Sequence, residues 1–245
     1  MLVRKGLIPA AGSGTRLGPF TNAIPKELLP VGDKAVIEHV VAAMKLAGIE
    51  EVVFVVSPHK HGLSDYFGSG KRFGIDATYV VQDERKGLGD AVLAGEHVLD
   101  ETFTVVLGDN FFSPKTFLKD LIDFHVREKA DSTIGVAEVE DVTRHGIITP
   151  SGNRIIDMVE KPPVSEAKSN LGALGAYVFT PDIFDAIRNT KPGYKGEIQL
   201  TDAIKLQIED KKKVLYNKID GIHIDVGTPK DLMHANDWYL THDSE

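Results

Sequence analysis

The chain has no cysteine among its 245 residues. It can hold no disulfide framework and no Cys-ligated zinc, and a reducing compartment is permitted though not demanded. It also lacks any apolar run near the about 18 residues that suggest a membrane span. The N-terminus, MLVRKGLIPAAG, turns polar at once and has no leader-like apolar stretch, so a cytoplasmic, soluble setting is expected. Excess positive charge is missing too: 36 Asp and Glu against 28 Lys and Arg leave a net −8. Nucleic-acid backbones need a basic footprint, so neither a nucleic-acid nor a membrane partner is expected. A local Arg/Lys cluster can still hold a small anion. Repeats, low-complexity tracts and long linkers are absent as well. One integrated domain, residues 1–245, is the simplest organisation.

What is present is concentrated first in Leu7 to Pro30, LIPAAGSGTRLGPFTNAIPKELLP. A short apolar run gives way to Ala10, Ala11, Gly12, Ser13 and Gly14, all small. Small residues let backbone N–H groups close on phosphate oxygens. Arg16 and Lys26 can add full charges to the same anion. The bland alternative for Gly-x-Gly after an apolar run is a tight turn. The stretch is not a Walker loop, because no Gly-Lys-Ser/Thr follows at the required spacing. It is not a dinucleotide fingerprint, because Leu17 stands where the third Gly should fall.

Strand-like and helix-like segments alternate through the first half. Glu51–Val56 is a β-branched run suited to a buried parallel strand. Val36–Ala47 places Ile37, Val40, Val41 and Met44 on one helical face, with Gly48 to end it. Asp76–Val81, Phe103–Leu107 and Ser132–Glu138 read as strands, and Leu88–Leu99 and Lys115–Lys129 as helices. This order implies an α/β protein with a mostly parallel sheet and helices on both faces. Ligands then bind beyond the carboxyl ends of the strands. In the second half strands crowd together at Gly146–Thr149, Arg154–Val159, Ala173–Thr180, Val214–Lys218 and Ile222–Val226. Helices are expected at Pro181–Arg188 and Leu200–Asp210. Thr180-Pro181 and Thr228-Pro229 each set a capping hydroxyl before a Pro at the first helical position. The simplest division of the chain is into two halves, 1–140 and 141–245.

Four further constellations carry chemistry. Asp109, in Leu107-Gly108-Asp109-Asn110, ends an apolar strand, where a hard carboxylate can meet Mg²⁺; ordinary turn chemistry is the alternative. Asp225, in Ile224-Asp225-Val226-Gly227-Thr228, repeats the pattern, and the two could clamp one ion. Glu160 and Lys161 adjoin at a strand end; successive strand side chains point to opposite faces, so both serve one site only at that end. Gln82, ahead of Lys86-Gly87-Leu88-Gly89, carries donor and acceptor, which matches the N3–H and O4 edge of uracil or thymine. Its amide can flip, so the match favours such a base without deciding it. Gly87 lets backbone join that edge. The nine His show no metal-ligand spacing, and His59 with His61 reads as a solvated loop.

Gly12, Gly14, Thr15, Arg16, Leu17, Pro19, Thr21, Pro25, Lys26, Leu28 and Pro30 resemble the signature G-x-G-T-R-L-x-P-x-T…P-K-x-L-x-P of the sugar-1-phosphate nucleotidylyltransferases. The resemblance runs from Gly6 to about Tyr239, and it implies that 1–140 is a nucleotide half and 141–245 a sugar half. It implies a Rossmann-like three-layer α/β/α sandwich with a mostly parallel central sheet and an added β-rich sugar-binding region. It implies that a nucleoside triphosphate and a sugar 1-phosphate give a nucleotide sugar and pyrophosphate. Ala11, Gly12, Gly14, Thr15, Gln82, Gly87 and Asp109 would then meet the nucleotide. Gly146, Glu160, Lys161, Asn170, Gly175 and Tyr177 would meet the sugar phosphate. Arg16 would hold the leaving phosphates, Lys26 would neutralise charge near the α-phosphate, and Lys161 would aim the attacking phosphate. Asp109 and Asp225 would hold Mg²⁺. Gly196 to Asp202 resembles the family's G-E-x-x-x-T-D helix start and is read as positioning that helix.

For the substrates, dTTP with glucose 1-phosphate is the first expectation, as in the thymidylyltransferases, and UTP the alternative, as in the uridylyltransferases. Gly108–Phe112 and Asp225–Pro229 look like the former; Ile8–Gly12 and Ile24–Pro30 look like the latter. A glycosyltransferase would leave Arg16 and Lys26 surplus, and a non-catalytic regulatory relative would be expected to have lost them. The chain stops soon after its last helix, which puts the regulatory additions of longer relatives in doubt. A homo-oligomer, dimer or tetramer, is expected.

Overall fold

Alternate residues of the Glu51–Val56 run enter different cores: Val52, Phe54 and Val56 pack into one, Val53 and Val55 into the other. Leu7 and Ile8, and Val105 and Val106, split the same way. A strand that is apolar on both sides must be covered on both sides, and this makes the three layers.

The computed structural model describes residues 2–58 and 60–242, so His59 lies outside the described residues. Its strands are β1 (Lys5–Pro9), β2 (Pro30–Val31), β3 (Lys34–Ala35), β4 (Glu51–Val56), β5 (Asp76–Val81), β6 (Phe103–Val106) and β7 (Asn110–Ser113). They continue as β8 (Ser132–Glu138), β9 (Gly146–Ser151), β10 (Arg154–Glu160), β11 (Leu171–Phe179), β12 (Val214–Lys218) and β13 (Ile222–Asp225). The helices are α1 (Phe20–Ala23), α2 (Val36–Leu46), α3 (Gly62–Phe67), α4 (Leu88–Ala94), α5 (Phe117–Glu128), α6 (Ile183–Asn189), α7 (Leu200–Glu209) and α8 (Pro229–His242).

Nine strands form one sheet in the order β5-β4-β1-β6-β11-β8-β12-β10-β9. β5, β4, β1 and β6 are parallel. β11 and β10 run against the rest, so the sheet is mostly parallel with the reversals gathered in the second half. The chain order reverses between β1 and β6, where a crevice opens at the strand ends. Ala10–Gly12 and Leu107–Asp109 leave the sheet there. Residues of α2, α3 and α5 fill one core, and residues of α4, α6 and α7 fill the other. A third cluster joins Val31, Val36, Phe111, Ile224 and Val226 to Ala235 of α8. Among the described residues no helix is long and apolar enough to cross a membrane.

Two local expectations fail for identifiable reasons. The helix expected over Leu88–Leu99 stops at Ala94 and finishes as a 3-10 turn, Glu96–Val98. Gly95 there lies against Leu7, where a Cβ would not fit. Thr180 does not cap α6: its hydroxyl is buried without a partner, and the helix begins at Ile183. Its backbone N–H instead donates to Asp131 at 2.9 Å, in continuation of β11. Thr228 does cap α8, accepting from Asp231 N–H at 3.2 Å and donating to the Asp231 carboxylate at 2.7 Å.

His125 is buried beneath the sheet, with Nδ1 2.9 Å from Thr133 Oγ1. Burial pushes its pKa from the ordinary 6.5 down to about 4. The unfolded chain therefore takes up this proton at higher pH than the folded one, and stability falls as pH drops through that window. The full loss is about 3 kcal/mol. His125→Leu is expected to reduce the slope of Tm against pH between 6.5 and 4. The slope should not vanish, since burial lowers His39 and His223 as well. Melts at three pH values check this; an unchanged slope would assign the acid sensitivity elsewhere.

Candidate active site

The two aspartates meet through a short ladder that no local pattern encodes. Asp109 immediately precedes β7, which pairs antiparallel with β13 so that Asp225 stands opposite Asn110. Val226 N–H donates to the Asp109 carbonyl at 2.9 Å. Asp109 pairs with Lys26, and Arg16 Nη2 lies 3.9 Å from Asp225 Oδ2. Gly227 makes room for that guanidinium: a Cβ there would come within 2.7 Å of Nη2. Burial pushes the Asp109 carboxyl upward, but Lys26 outweighs it and holds the group below its usual range. Lys26 is pulled down by burial and lifted further by Asp109 and Glu27, so it is held charged. Asp225 is pushed up, first by burial and then by the charge of Asp109.

The small-residue loop is shaped from behind. Lys60, just beyond β4, donates to the carbonyls of Ala10 and Gly12, each at 2.9 Å, and to Glu27 Oε2 at 2.7 Å. Glu27 is fully buried. Burial drives it and Lys60 toward their neutral forms, and each opposes that drift in the other. Gly14 adopts φ 66° and receives the Thr21 hydroxyl on its carbonyl at 3.0 Å. A cavity of about 350 Å³ faces this loop, lined by Ala11, Gly12, Lys26, Gln82, Gly87 and Asp109 among others.

At the far end of that cavity Gln82 is buried, and its Nε2 donates to Asp90 Oδ2 at 2.6 Å and to the Gly87 carbonyl at 3.3 Å. Gly87 has φ 113°, and a Cβ there would strike the Ile198 carbonyl, 2.6 Å away. Glycine is thus required both by conformation and by space.

A second cavity of about 260 Å³ adjoins the first, sharing Leu88, Leu107, Asp109 and Glu197 with it. Glu160 and Lys161 both line it. The alternation of β10 would part them, but Lys161 steps out of the strand into a left-handed conformation, φ 44°. That uncommon geometry for a non-glycine residue turns the ammonium back to within 2.9 Å of Glu160 Oε1. Thr201 donates to Glu160 Oε2 at 2.6 Å. Gly146 pairs with Glu160 across β9 and β10. Gly175, at φ 73°, sits in a break of the β11 ladder and accepts from Leu107 N–H at 2.9 Å. Tyr177 is buried at the cavity wall, and burial pushes its hydroxyl pKa up.

Of the residues expected at the site, Ala11, Gly12, Lys26, Gln82, Gly87 and Asp109 share the first cavity. Arg16, Asp109, Gly146, Glu160, Lys161, Gly175, Tyr177 and Asp225 share the second. Gly14 and Thr15 line neither; they lie in the turn that places the exposed Arg16 at the edge of the second cavity. Asn170 is exposed and lines neither; its carbonyl accepts from Val139 N–H at 2.9 Å. Glu197 and Thr201 reach the site, so the Gly196–Asp202 segment does more than start α7. Lys60, Asp90, Arg85 and His223 were not anticipated. Lys60 had a readable signal, since it follows the carboxyl end of a parallel strand; Asp90 had none, because an Asp in a helix's first turn is ordinary.

Among the described residues no cluster of three or more His, Asp or Glu could hold a metal. The buried Asp109 carboxylate and the half-buried Asp225 carboxylate, with repelling charges, fit Mg²⁺ nonetheless. That ion takes one or two protein carboxylates and completes its shell with phosphates and water.

A family model described as nucleotidyl transferase matches residues 5–242. The UTP–glucose-1-phosphate uridylyltransferase of Staphylococcus epidermidis is 37% identical, across 99% of this chain and 94% of its own length. A UDP-glucose pyrophosphorylase solved with UDP-glucose superimposes at a TM-score of 0.90 with 34% identity, covering 98% of this chain and 99% of that one. A Bacillus anthracis protein assigned as a glucose-1-phosphate thymidylyltransferase gives 0.88 with 31% identity, covering 99% and 97%.

Proposed function

Because the chain belongs to the nucleotidyl transferase family and is a sugar-1-phosphate nucleotidyltransferase, we propose that it joins UTP to glucose 1-phosphate, giving UDP-glucose and pyrophosphate. The observation that carries the choice of UTP is the near full-length likeness to a uridylyltransferase and to a UDP-glucose-bound structure. The motifs lead to dTTP first and UTP as the alternative; the relatives favour UTP, although a thymidylyltransferase is among the similar structures.

The division of labour follows the cavities. The first takes the nucleotide, largely from residues 1–140, and the second the sugar, largely from 141–245. The halves interleave, since Asp109 and Arg16 line the sugar cavity and Glu197 lines both. The attacking oxygen of the sugar phosphate displaces pyrophosphate in line at the α-phosphorus, so catalysis is positioning and charge stabilisation. Lys161 leaves its pairing with Glu160 to aim the phosphate, freeing that carboxylate to accept from sugar hydroxyls. Lys26, held charged, faces the α-phosphate, and Arg16 takes the departing phosphates. Asp109 and Asp225 would hold Mg²⁺, which when bound neutralises phosphate charge. A consumer of nucleoside triphosphates works where they are made, so the proposal includes a cytoplasmic setting.

The test is pyrophosphate release from UTP, dTTP and CTP, each crossed with a panel of sugar 1-phosphates. Release is expected only with Mg²⁺ and both substrates, with the highest kcat/KM for UTP and glucose 1-phosphate. One methyl in an apolar pocket is worth about 1 kcal/mol, so that group by itself separates dTTP from UTP by no more than about fivefold. Equal release without sugar phosphate would make the protein a hydrolase. A tenfold preference for dTTP would restore the thymidylyltransferase reading.

A further inference from the structure

The Gln82 amide is not free to choose which end it offers a ligand. Its Nε2 lies 2.6 Å from Asp90 Oδ2 and 3.3 Å from the Gly87 carbonyl. Both partners can only accept. The carboxylate makes the stronger, charge-assisted bond. Among the described residues nothing donates to Gln82 Oε1, and the Gly87 N–H has no backbone acceptor. Both residues line the nucleotide cavity.

We propose that Asp90 is a positioning residue for nucleobase selection: it holds the Gln82 amide with its oxygen toward the base, so that the pocket offers an acceptor at Gln82 and a donor at Gly87. The inference rests on the reading of Gln82 as the base contact. An acceptor at Gln82 receives N3–H of uracil or thymine while Gly87 N–H meets a neighbouring base carbonyl. Cytosine has an unprotonated N3 and repels that oxygen unless it shifts along its own edge. With the amide reversed, Gln82 would donate to cytosine N3, and discrimination would be lost. Asp90 lies in the first turn of α4 and touches no part of the expected nucleotide itself; it acts only through Gln82.

The experiment compares kcat/KM for UTP and CTP, with glucose 1-phosphate and Mg²⁺, in Asp90→Asn, Asp90→Ala, Asp90→Glu and Gln82→Ala. Asn can donate to Gln82 Oε1 or accept from Nε2, so it permits both orientations at nearly constant volume. The UTP-to-CTP ratio is expected to fall about tenfold in Asp90→Asn and Asp90→Ala, the scale of losing one charge-assisted bias between two states. Asp90→Glu keeps an acceptor-only group and should hold the ratio within about threefold. A general loosening of the fold would lower both efficiencies together and leave the ratio alone. If Gln82→Ala lowers the ratio but Asp90→Asn does not, the role of Asp90 is overturned and the base reading stands. If Gln82→Ala leaves the ratio unchanged, Gln82 does not read the base, and the role of Asp90 falls with it. Melts of each variant identify any that fail to fold, and Asp90→Asn then decides in place of Asp90→Ala.

Discussion

Asp225→Asn is expected to lower kcat by about 10²–10³-fold, the scale of removing one charge-stabilising group from a reaction centre, with no loss of thermal stability. The reason lies in the balance of forces on this carboxylate. Burial and the neighbouring Asp109 both disfavour its charged form. An amide of the same shape removes that repulsion. What it gives up is the ion pair with Arg16, 3.9 Å long and with the Arg side chain 61% exposed, so the pair contributes little. The backbone role persists, because Gly227 N–H donates to the Asp225 carbonyl rather than to its side chain. Steady-state rates and melts on one preparation check both halves. A variant that melts early yet keeps full turnover per folded molecule would make Asp225 a structural residue.

Lys26 and Asp109 should behave differently, because each is the buried counter-charge of the other. Their side chains are only 20% and 11% exposed. Removing one partner of a buried pair costs about 3–5 kcal/mol, since it strands the other charge. Lys26→Met should be the more damaging of the two singles, because Lys26 also opposes the burial penalty on Glu27. In Lys26→Met/Asp109→Asn both charges go, and the double variant should be more stable than Lys26→Met by at least about 1 kcal/mol. Activity should not follow: both singles and the double are expected to lose about 10²-fold or more in kcat. Denaturant melts and initial rates on all four proteins close the cycle. Additive stability losses would show that the pair is not coupled. Recovery of activity in the double would show that the two serve folding alone.

Much of this protein was legible in the residues themselves. Runs such as Glu51–Val56 and Asp76–Val81 are rich in β-branched and aromatic residues, and β4 and β5 begin and end at the residues that this composition predicts. The small-residue loop, its two cations and the strand-ending aspartates were visible because anion binding and metal binding need those residue types next to one another. The cap expected at Thr180 is absent because a cap is decided by where the chain goes next, and here it stays in the sheet.

Other features were settled only by contacts between distant segments. Asp109 and Asp225 are brought together by the β7–β13 ladder, whose register depends on the third core around Phe111, Ile224 and Ala235. Lys60 reaches the carbonyls of Ala10 and Gly12 because β4 lies beside β1. Glu160 and Lys161 face one cavity because a single φ of 44° reverses the strand alternation. The orientation of the Gln82 amide is set by a helix residue, Asp90, that nothing local marks. The sequence by itself thus determined most strands of the main sheet, the longer helices and the inventory of charges and small residues, since residue pattern and residue chemistry are properties of neighbours in the chain; the short β7 that carries Asp109 toward Asp225 was not among them. The tertiary structure decided which charges share a site and which way an ambiguous side chain points. Those depend on distances between segments that only the packed sheet and its two covering layers bring within a few ångströms.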